Sequence, residues 1–295
     1  MRSYPRILSL LLPATMLLFH SVVAAQEVPA QFPHRVLITN DNGIDDPKIV
    51  ALARAFSAHA ETWVVAPAED RSGSGAHMSM MRTGSLRVEP RDLGPSIRAY
   101  AVDGYPADAV LVALAGLMAD SLPDLVISGI NGGANLGGDW LYSGTVGAAR
   151  IAAYAGFPAI AVSGLVQDEV PGATESAVDW VLRFSSTDWV RELTPPQYLT
   201  VSFPRNTPEG VRGVRVTGRA PLQVAPRITE SDEGVWRVIG IDSIPAVPAP
   251  ESDVRAWEDG YISIVPMRID EVDYEAVAEW RRLARSFPEW RPARR

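Results

Sequence analysis

The chain contains no cysteine in 295 residues, and Lys48 is its only lysine. Without thiols there can be no disulfide staple, no thiolate nucleophile and no Cys-bound zinc, so any metal site must be built from oxygen or histidine. Arginine supplies nearly all the positive charge, yet the formal net charge is −8, and −10 once Arg2 and Arg6 are set aside. That balance argues against a stable nucleic-acid partner. Several standard motifs are missing as well. There is no G-x-x-x-x-G-K-[ST] phosphate loop, no G-x-G-x-x-G after the first apolar run, and no G-x-S-x-G nucleophile elbow. An EF-hand counted back from Gly43 would place its first ligand at the apolar Ile38. An aspartyl-phosphate phosphatase would show two aspartates flanking one residue, whereas Asp41 is followed directly by Asn42 and Gly43.

What is present is enough apolar residue, 47 %, for one large globular domain. The first segment carries Arg2 and Arg6, then an apolar run interrupted by Pro13 and His20, then Val23 and Ala25 in the small-residue positions of a cleavage site. This is the layout of a secretory signal over residues 1–25, and it predicts export to the periplasm rather than a membrane anchor.

Beyond the signal the pattern alternates strand and helix. Arg35 to Thr39 is a near-continuous apolar run, as in a strand buried on both faces of a parallel sheet. Asp46 and Pro47 then cap and open a helix whose apolar positions run from Ile49 to Phe56, and TWVVA (62–66) follows as a strand, giving a βαβ unit. The same grammar predicts helices over 106–119 and 144–156, strands over 124–128, 158–163 and 198–203, and a helix from Ala177 to Phe184. The expected fold is α/β, a Rossmann-like, mostly parallel sheet flanked by helices. Residues 26–190 form its core. Residues 191–295 complete it with a β-rich extension (GVRGVRVTG, YISIVPM) and a terminal helix from about Val272 to Ser286. Trp280 and Leu283 share one face of that helix, which suits packing on a partner subunit or on its own domain.

Polar, glycine-rich loops follow three of these strands: Asn40-Asp41-Asn42-Gly43, EDRSGSGAHMS (69–79) and GINGGANLGGDWLYSGT (129–145). In open α/β sheets ligands sit in the crevice beyond the C-terminal strand ends, so the three loops converge on one site. Alone, Asn-Asp-Asn-Gly reads as a turn and Ser143 with Thr145 as helix caps. Together they offer the Asp41 carboxylate, the Asn42 and Asn131 amide oxygens and the Ser72 or Ser74 hydroxyl. Such oxygens suit one hard divalent cation, Mg²⁺ or Mn²⁺ first and Ca²⁺ as an alternative. Ser143-Gly144-Thr145 opens a helix whose N-terminus favours a phosphate, which makes phosphoester chemistry the expected class. His77 is a substrate contact or a solvated loop residue, since no partner positions it as a base.

These stretches resemble the SurE-type nucleotidases, the stationary-phase survival protein E family. The matching segments are TNDNGIDDP (39–47), VVAPAEDRSGSG (64–75), GYPADAV (104–110), PDLVISGINGGANLG (123–137), YSGTVGAA (142–149), FPAIAVS (157–163) and, more weakly, GYISIVPM (260–267). The resemblance implies a metal-dependent phosphatase of nucleoside 5′- and 3′-monophosphates. It also implies action on short polyphosphate in some members, and a homodimer or tetramer exchanging C-terminal elements. Carried over by position, Asp41, Asn42, Ser72 and Asn131 would be the metal ligands. Asn135, Ser143, Gly144 and Thr145 would hold the phosphate, and Asp41, Asn42 and Asn135 would make up the catalytic set.

Two positions depart from the family pattern. Asn42 stands where the family has a second aspartate, which keeps an oxygen ligand but removes a negative charge and a possible proton acceptor. Tyr105 stands where a threonine could cap the helix beginning at Pro106, so Asp108 or a neighbour must satisfy that helix end. The first change keeps open an exported, catalytically weakened relative that binds a phosphorylated ligand without turnover. Acyl-ester hydrolysis through Ser74 and His77 is disfavoured by the absent elbow.

Overall fold

The computed structural model describes residues 32–164, 170–220, 223–244, 249–270 and 274–283; the secretory signal expected over 1–25 lies outside them. Among the described residues no helix is long and apolar enough to cross a membrane.

Nine strands form one sheet. The chain lays down β1 (Arg35–Thr39), crosses by α1 (Pro47–Ser57) to β2 (Glu61–Pro67), and passes through α2 (Met80–Thr83) to β3 (Val88–Arg91) and β4 (Ile97–Val102). It then returns through α3 (Pro106–Val112) to β5 (Leu125–Asn131), and by α4 (Gly144–Tyr154) to β6 (Ala159–Ser163). Next come α5 (Ala173–Ser185), α6 (Asp188–Arg191), β7 (Gln197–Ser202) and β8 (Val214–Val216). A hairpin of β9 (Gln223–Asp232) and β10 (Val235–Ile244) precedes α7 (Asp253–Glu258), β11 (Ile262–Arg268) and α8 (Tyr274–Leu283). The sheet order is β3-β4-β2-β1-β5-β6-β7-β11-β8, and the hairpin stands as a separate two-stranded sheet. All neighbours in the large sheet are parallel except β3 with β4 and β11 with β7.

Strand β1 runs down the middle, and Val36, Leu37 and Ile38 are wholly buried. The period of two sends alternate side chains to opposite faces. Val36 and Ile38 pack with Ile49, Leu52 and Phe56 of α1 and with Val178 and Val181 of α5. Leu37 packs on the other face with Val110 of α3 and Val146 and Ala149 of α4. Because the chain leaves β1 toward β2 and later comes back to β5 on its other side, the order reverses at β1/β5, which in such sheets opens a ligand crevice at the carboxyl ends.

The helix expected over 106–119 divides. After α3 the turns widen over 113–117, where Met118 N–H donates to Ala113 five residues back at 2.8 Å. Strand β5 runs to Asn131, beyond the 124–128 span expected, and carries that amide to the crevice. No local sequence pattern announces β3 or β4. β3 contains Pro90 and sits at the sheet edge, the place where a strand tolerates a residue without an N–H. The terminal helix is described over Tyr274–Leu283.

Leu37 is wholly buried in a cluster that includes residues of α3 and α4. Leu37→Ala should destabilise the protein by about 2–5 kcal/mol, read as a lower denaturant midpoint at unchanged slope.

Candidate active site

Asp41 is 3 % exposed, two residues past the end of β1. Its Oδ1 accepts from the Thr145 hydroxyl at 2.6 Å and its Oδ2 from the Thr145 backbone N–H at 3.1 Å, joining the first loop to the opening turn of α4. Burial raises its pKa above the ordinary carboxylate value, the two Thr145 hydrogen bonds oppose that shift, and the charge of Asp70 reinforces it. Backbone contacts bind the loops together. Arg71 N–H donates to Asp41 O at 2.7 Å, Gly75 N–H to Tyr142 O at 2.8 Å, and Gly164 N–H to Asn131 O at 3.2 Å. Gly43 takes φ 99°, a left-handed backbone that suits glycine, and leaves the turn tight against Glu69.

A cleft of about 550 Å³ opens at this convergence. Asn42, Ser72 and Asn131 line it, with Asp70, the backbone of Gly132–Gly133–Ala134, Arg205 and Trp257. The three amide and hydroxyl groups keep acceptor capacity. Asn42 Oδ1 is buried and has no hydrogen-bond partner. Asn131 gives its Nδ2 to Gly133 O at 2.7 Å, which leaves Oδ1 uncommitted by that bond. Ser72 gives its hydroxyl hydrogen to Asp70 at 2.6 Å, which leaves oxygen lone pairs. Buried acceptors without donors are costly unless a cation or water meets them. Oxygens of this kind, beside one buried carboxylate, fit a hard cation rather than zinc. Among the described residues there is no cluster of three or more His, Asp or Glu side chains that would make a carboxylate- or imidazole-rich centre.

The other expected site residues are not among those lining the cleft. Ser143 caps α4 by accepting from Val146 N–H at 3.1 Å and is 4 % exposed, and Thr145 is wholly buried with hydroxyl and N–H both given to Asp41. Gly144 is needed for contact: a Cβ there would stand 2.8 Å from both Asp41 Cβ and Ser74 Oγ. Asn135 is buried and donates to Ser163 Oγ at 2.7 Å. His77 does not line the cleft. Its ring meets Tyr105 edge-on at 4.5 Å, and Arg71 stands 5.5 Å over the same Tyr105 ring. As expected for a helix that lost its cap, Asp108 takes the Tyr105 N–H at 3.0 Å, and it also accepts from Ser79 N–H, Ser79 Oγ and Met80 N–H.

Three cleft residues escaped the sequence reading. Asp70 lay inside a quoted loop and could have been suspected as a carboxylate next to a candidate ligand. Arg205 follows β7, and Trp257 lies in the six-residue α7; neither belongs to a motif, and only the fold brings them to the cleft.

Fold and site together define an α/β protein with an oxygen-lined cleft at its topological switch point, a carboxylate beneath it and a helix N-terminus behind the carboxylate. Residues 36–224 match the family model described as Survival protein SurE. A Burkholderia lata protein named 5′-nucleotidase SurE 1 is 36 % identical over 258 residues, covering 84 % of this chain and 95 % of that protein. A Legionella pneumophila protein named 5′-nucleotidase SurE is 37 % identical over 247 residues, covering 82 % and 93 %. The solved structure of the SurE protein from Aquifex aeolicus superposes with a TM-score of 0.67 at 29 % identity, covering 85 % of this chain and 99 % of that one. The chain belongs to the SurE family.

Two outcomes follow from this geometry. A Cβ on Gly147 would stand 2.2 Å from Gly75 O, so Gly147→Ala, normally a gain inside a helix, should instead cost about 1–3 kcal/mol and shift the 69–79 loop, seen as a lower melting temperature. The raised Asp41 pKa means that the fold holds this proton more tightly than the unfolded chain does. Its contribution is therefore present at low pH and lost as pH rises through the folded pKa. In chelator-treated protein, wild type should lose stability relative to Asp41→Asn as pH rises above the ordinary carboxylate pKa of about 4. A pH-independent offset between their melting curves would show that Asp41 keeps its proton affinity on unfolding.

Proposed function

We propose that the protein is a divalent-cation-dependent phosphomonoesterase that converts nucleoside 5′- and 3′-monophosphates to nucleoside and phosphate, with short polyphosphate as a further substrate. The observation that carries this reading is the buried Asp41 carboxylate, clamped by Thr145 at the start of α4, beside a cleft lined by Asn42, Ser72 and Asn131, whose side-chain oxygens keep acceptor capacity. The names of the relatives, 5′-nucleotidase, support it.

Asp41, Asn42, Ser72 and Asn131 would hold one Mg²⁺ or Mn²⁺, with Ca²⁺ as an alternative, and Asp70 adds negative charge beside them. That ion, when bound, supplies charge neutralisation at the phosphoryl oxygens and a more acidic water. The chain supplies the rest. Thr145 fixes the Asp41 carboxylate in one orientation and keeps it from turning into the loop. The N-terminal end of α4, with Ser143 and Gly144, places a positive dipole end behind the phosphoryl site, where it stabilises charge developing in an in-line displacement. Asn135 shapes the loop between them through Ser163. No covalent intermediate is required. His77 is engaged edge-on by Tyr105 away from the cleft lining, and no step is assigned to it.

Export through residues 1–25 would place this activity in the periplasm, where it would release phosphate and nucleosides for uptake; the charge and small-residue pattern of the segment supports that placement. A homodimer or tetramer is supported by the exposed apolar side chains of the β9–β10 hairpin, among them Trp236, Val238 and Ile239.

Asn42 favours a second reading, a relative that binds a phosphorylated ligand without turning it over. The deciding measurement is phosphate release from a panel of nucleoside monophosphates by protein lacking residues 1–25, under EDTA, Mg²⁺, Mn²⁺ and Ca²⁺. Release should require metal, fall more than about 100-fold in Asp41→Ala, and need less metal in Asn42→Asp by about tenfold. Release insensitive to chelation would sink the metal-dependent mechanism. No release by wild type, with activity gained in Asn42→Asp, would establish the binding-only reading.

A further inference from the structure

We propose that Trp257 is the platform on which the nucleobase of the substrate stacks. The inference rests on the phosphomonoesterase reading above and assigns the part of the substrate that the phosphate site leaves unread.

The cleft contains a single aromatic side chain among its described lining residues, and that residue comes from α7, beyond the span 36–224 matched by the family model. Trp257 is partly exposed, and its indole Nε1–H is already spent on Phe203 O at 2.8 Å. What the ring can still offer to the cleft is its apolar and π surface, so the ligand group that complements it is a flat aromatic system rather than a sugar or a phosphate. The ring is also held in place before any ligand arrives. Phe203 N–H donates to Ser163 O at 2.9 Å, which anchors the acceptor of the indole to the end of β6. The first residue of α7, Asp253, is 1 % exposed and accepts from Gly137 N–H and Ala220 N–H, both at 2.8 Å. The helix is thereby tied to the same 129–137 loop that supplies Asn131 to the cleft. A rigid ring loses little freedom when a base settles on it, which makes it an effective stacking surface.

Two measurements test the assignment. The first compares KM for adenosine 5′-monophosphate with KM for ribose 5-phosphate, which carries the same phosphoester and no base. Stacking predicts that Trp257→Ala erodes the preference for the nucleotide about tenfold through KM rather than kcat, and that Trp257→Phe keeps most of it. An unaltered preference in Trp257→Ala, including one left intact while both substrates weaken together, overturns the proposal. The second measurement needs no turnover. In protein labelled with 5-fluorotryptophan, the ¹⁹F resonance absent from Trp257→Phe should shift on titration with adenosine and stay put with ribose. A resonance indifferent to adenosine overturns the platform even in an active phosphatase. Conversely, a protein that releases no phosphate from either ester refutes the phosphomonoesterase reading, while the fluorine shift still decides the role of Trp257.

Discussion

A carboxylate taken out of water needs donors, and at Asp41 the donors come from a residue far along the chain. Thr145 contributes both its N–H and its hydroxyl, so one side chain and one helix start are locked as a unit. Much of the surrounding design is a consequence of that lock. Gly144 leaves room for Asp41 and Ser74, and Gly147 leaves room for the Gly75 carbonyl, so α4 can approach the second loop without side chains in between. The parallel sheet delivers β1 and β5 side by side at the reversal of strand order, which puts Asn42 and Asn131 at one mouth.

Among the described residues, Asp41 is one of three buried aspartates that act as internal fasteners. Asp108, wholly buried, gathers donors from Ser79, Met80 and Tyr105 and so fixes the far end of the second loop to α3. Asp253 gathers Gly137 and Ala220 and fixes the C-terminal segment to the third loop. Each ends on backbone N–H groups that no strand or helix would otherwise satisfy, which is how long loops are held without disulfides in a chain that has none.

The legible part of the fold was the part governed by local pattern. The apolar run of β1, the Asp46-Pro47 opening of α1 and the Gly-rich loop after β5 each announce themselves within a few residues. β3 and β4 did not, because a four-residue edge strand with a proline, and a partner whose apolar run is broken by Arg98, follow neither strict alternation nor a fully apolar run. The oxygen ligands were legible because they sit in contiguous motifs at strand ends. The commitment of Thr145 to Asp41 was not, since a threonine at a helix start reads as a phosphate donor until the approach of another loop is known. Arg205 and Trp257 lay beyond reach for the same reason: their place in the cleft depends on long-range packing that no local spacing encodes.

The sheet order carries a consequence for how the molecule comes into being on a ribosome. β11, the last strand among the described residues, is inserted between β7 and β8 rather than added at an edge. A nascent chain that has emerged only through β8 therefore has no partner for that strand, and the open flank of β7 stays unpaired until Ile262–Arg268 appears. The helix that brings Trp257 precedes β11 directly, so the cleft wall and the closing strand arrive together. Everything that reads as a phosphate site is synthesised before α7, yet the cleft becomes whole only once α7 and β11 have been made, a sequence of events that holds the finished pocket back until the sheet can close.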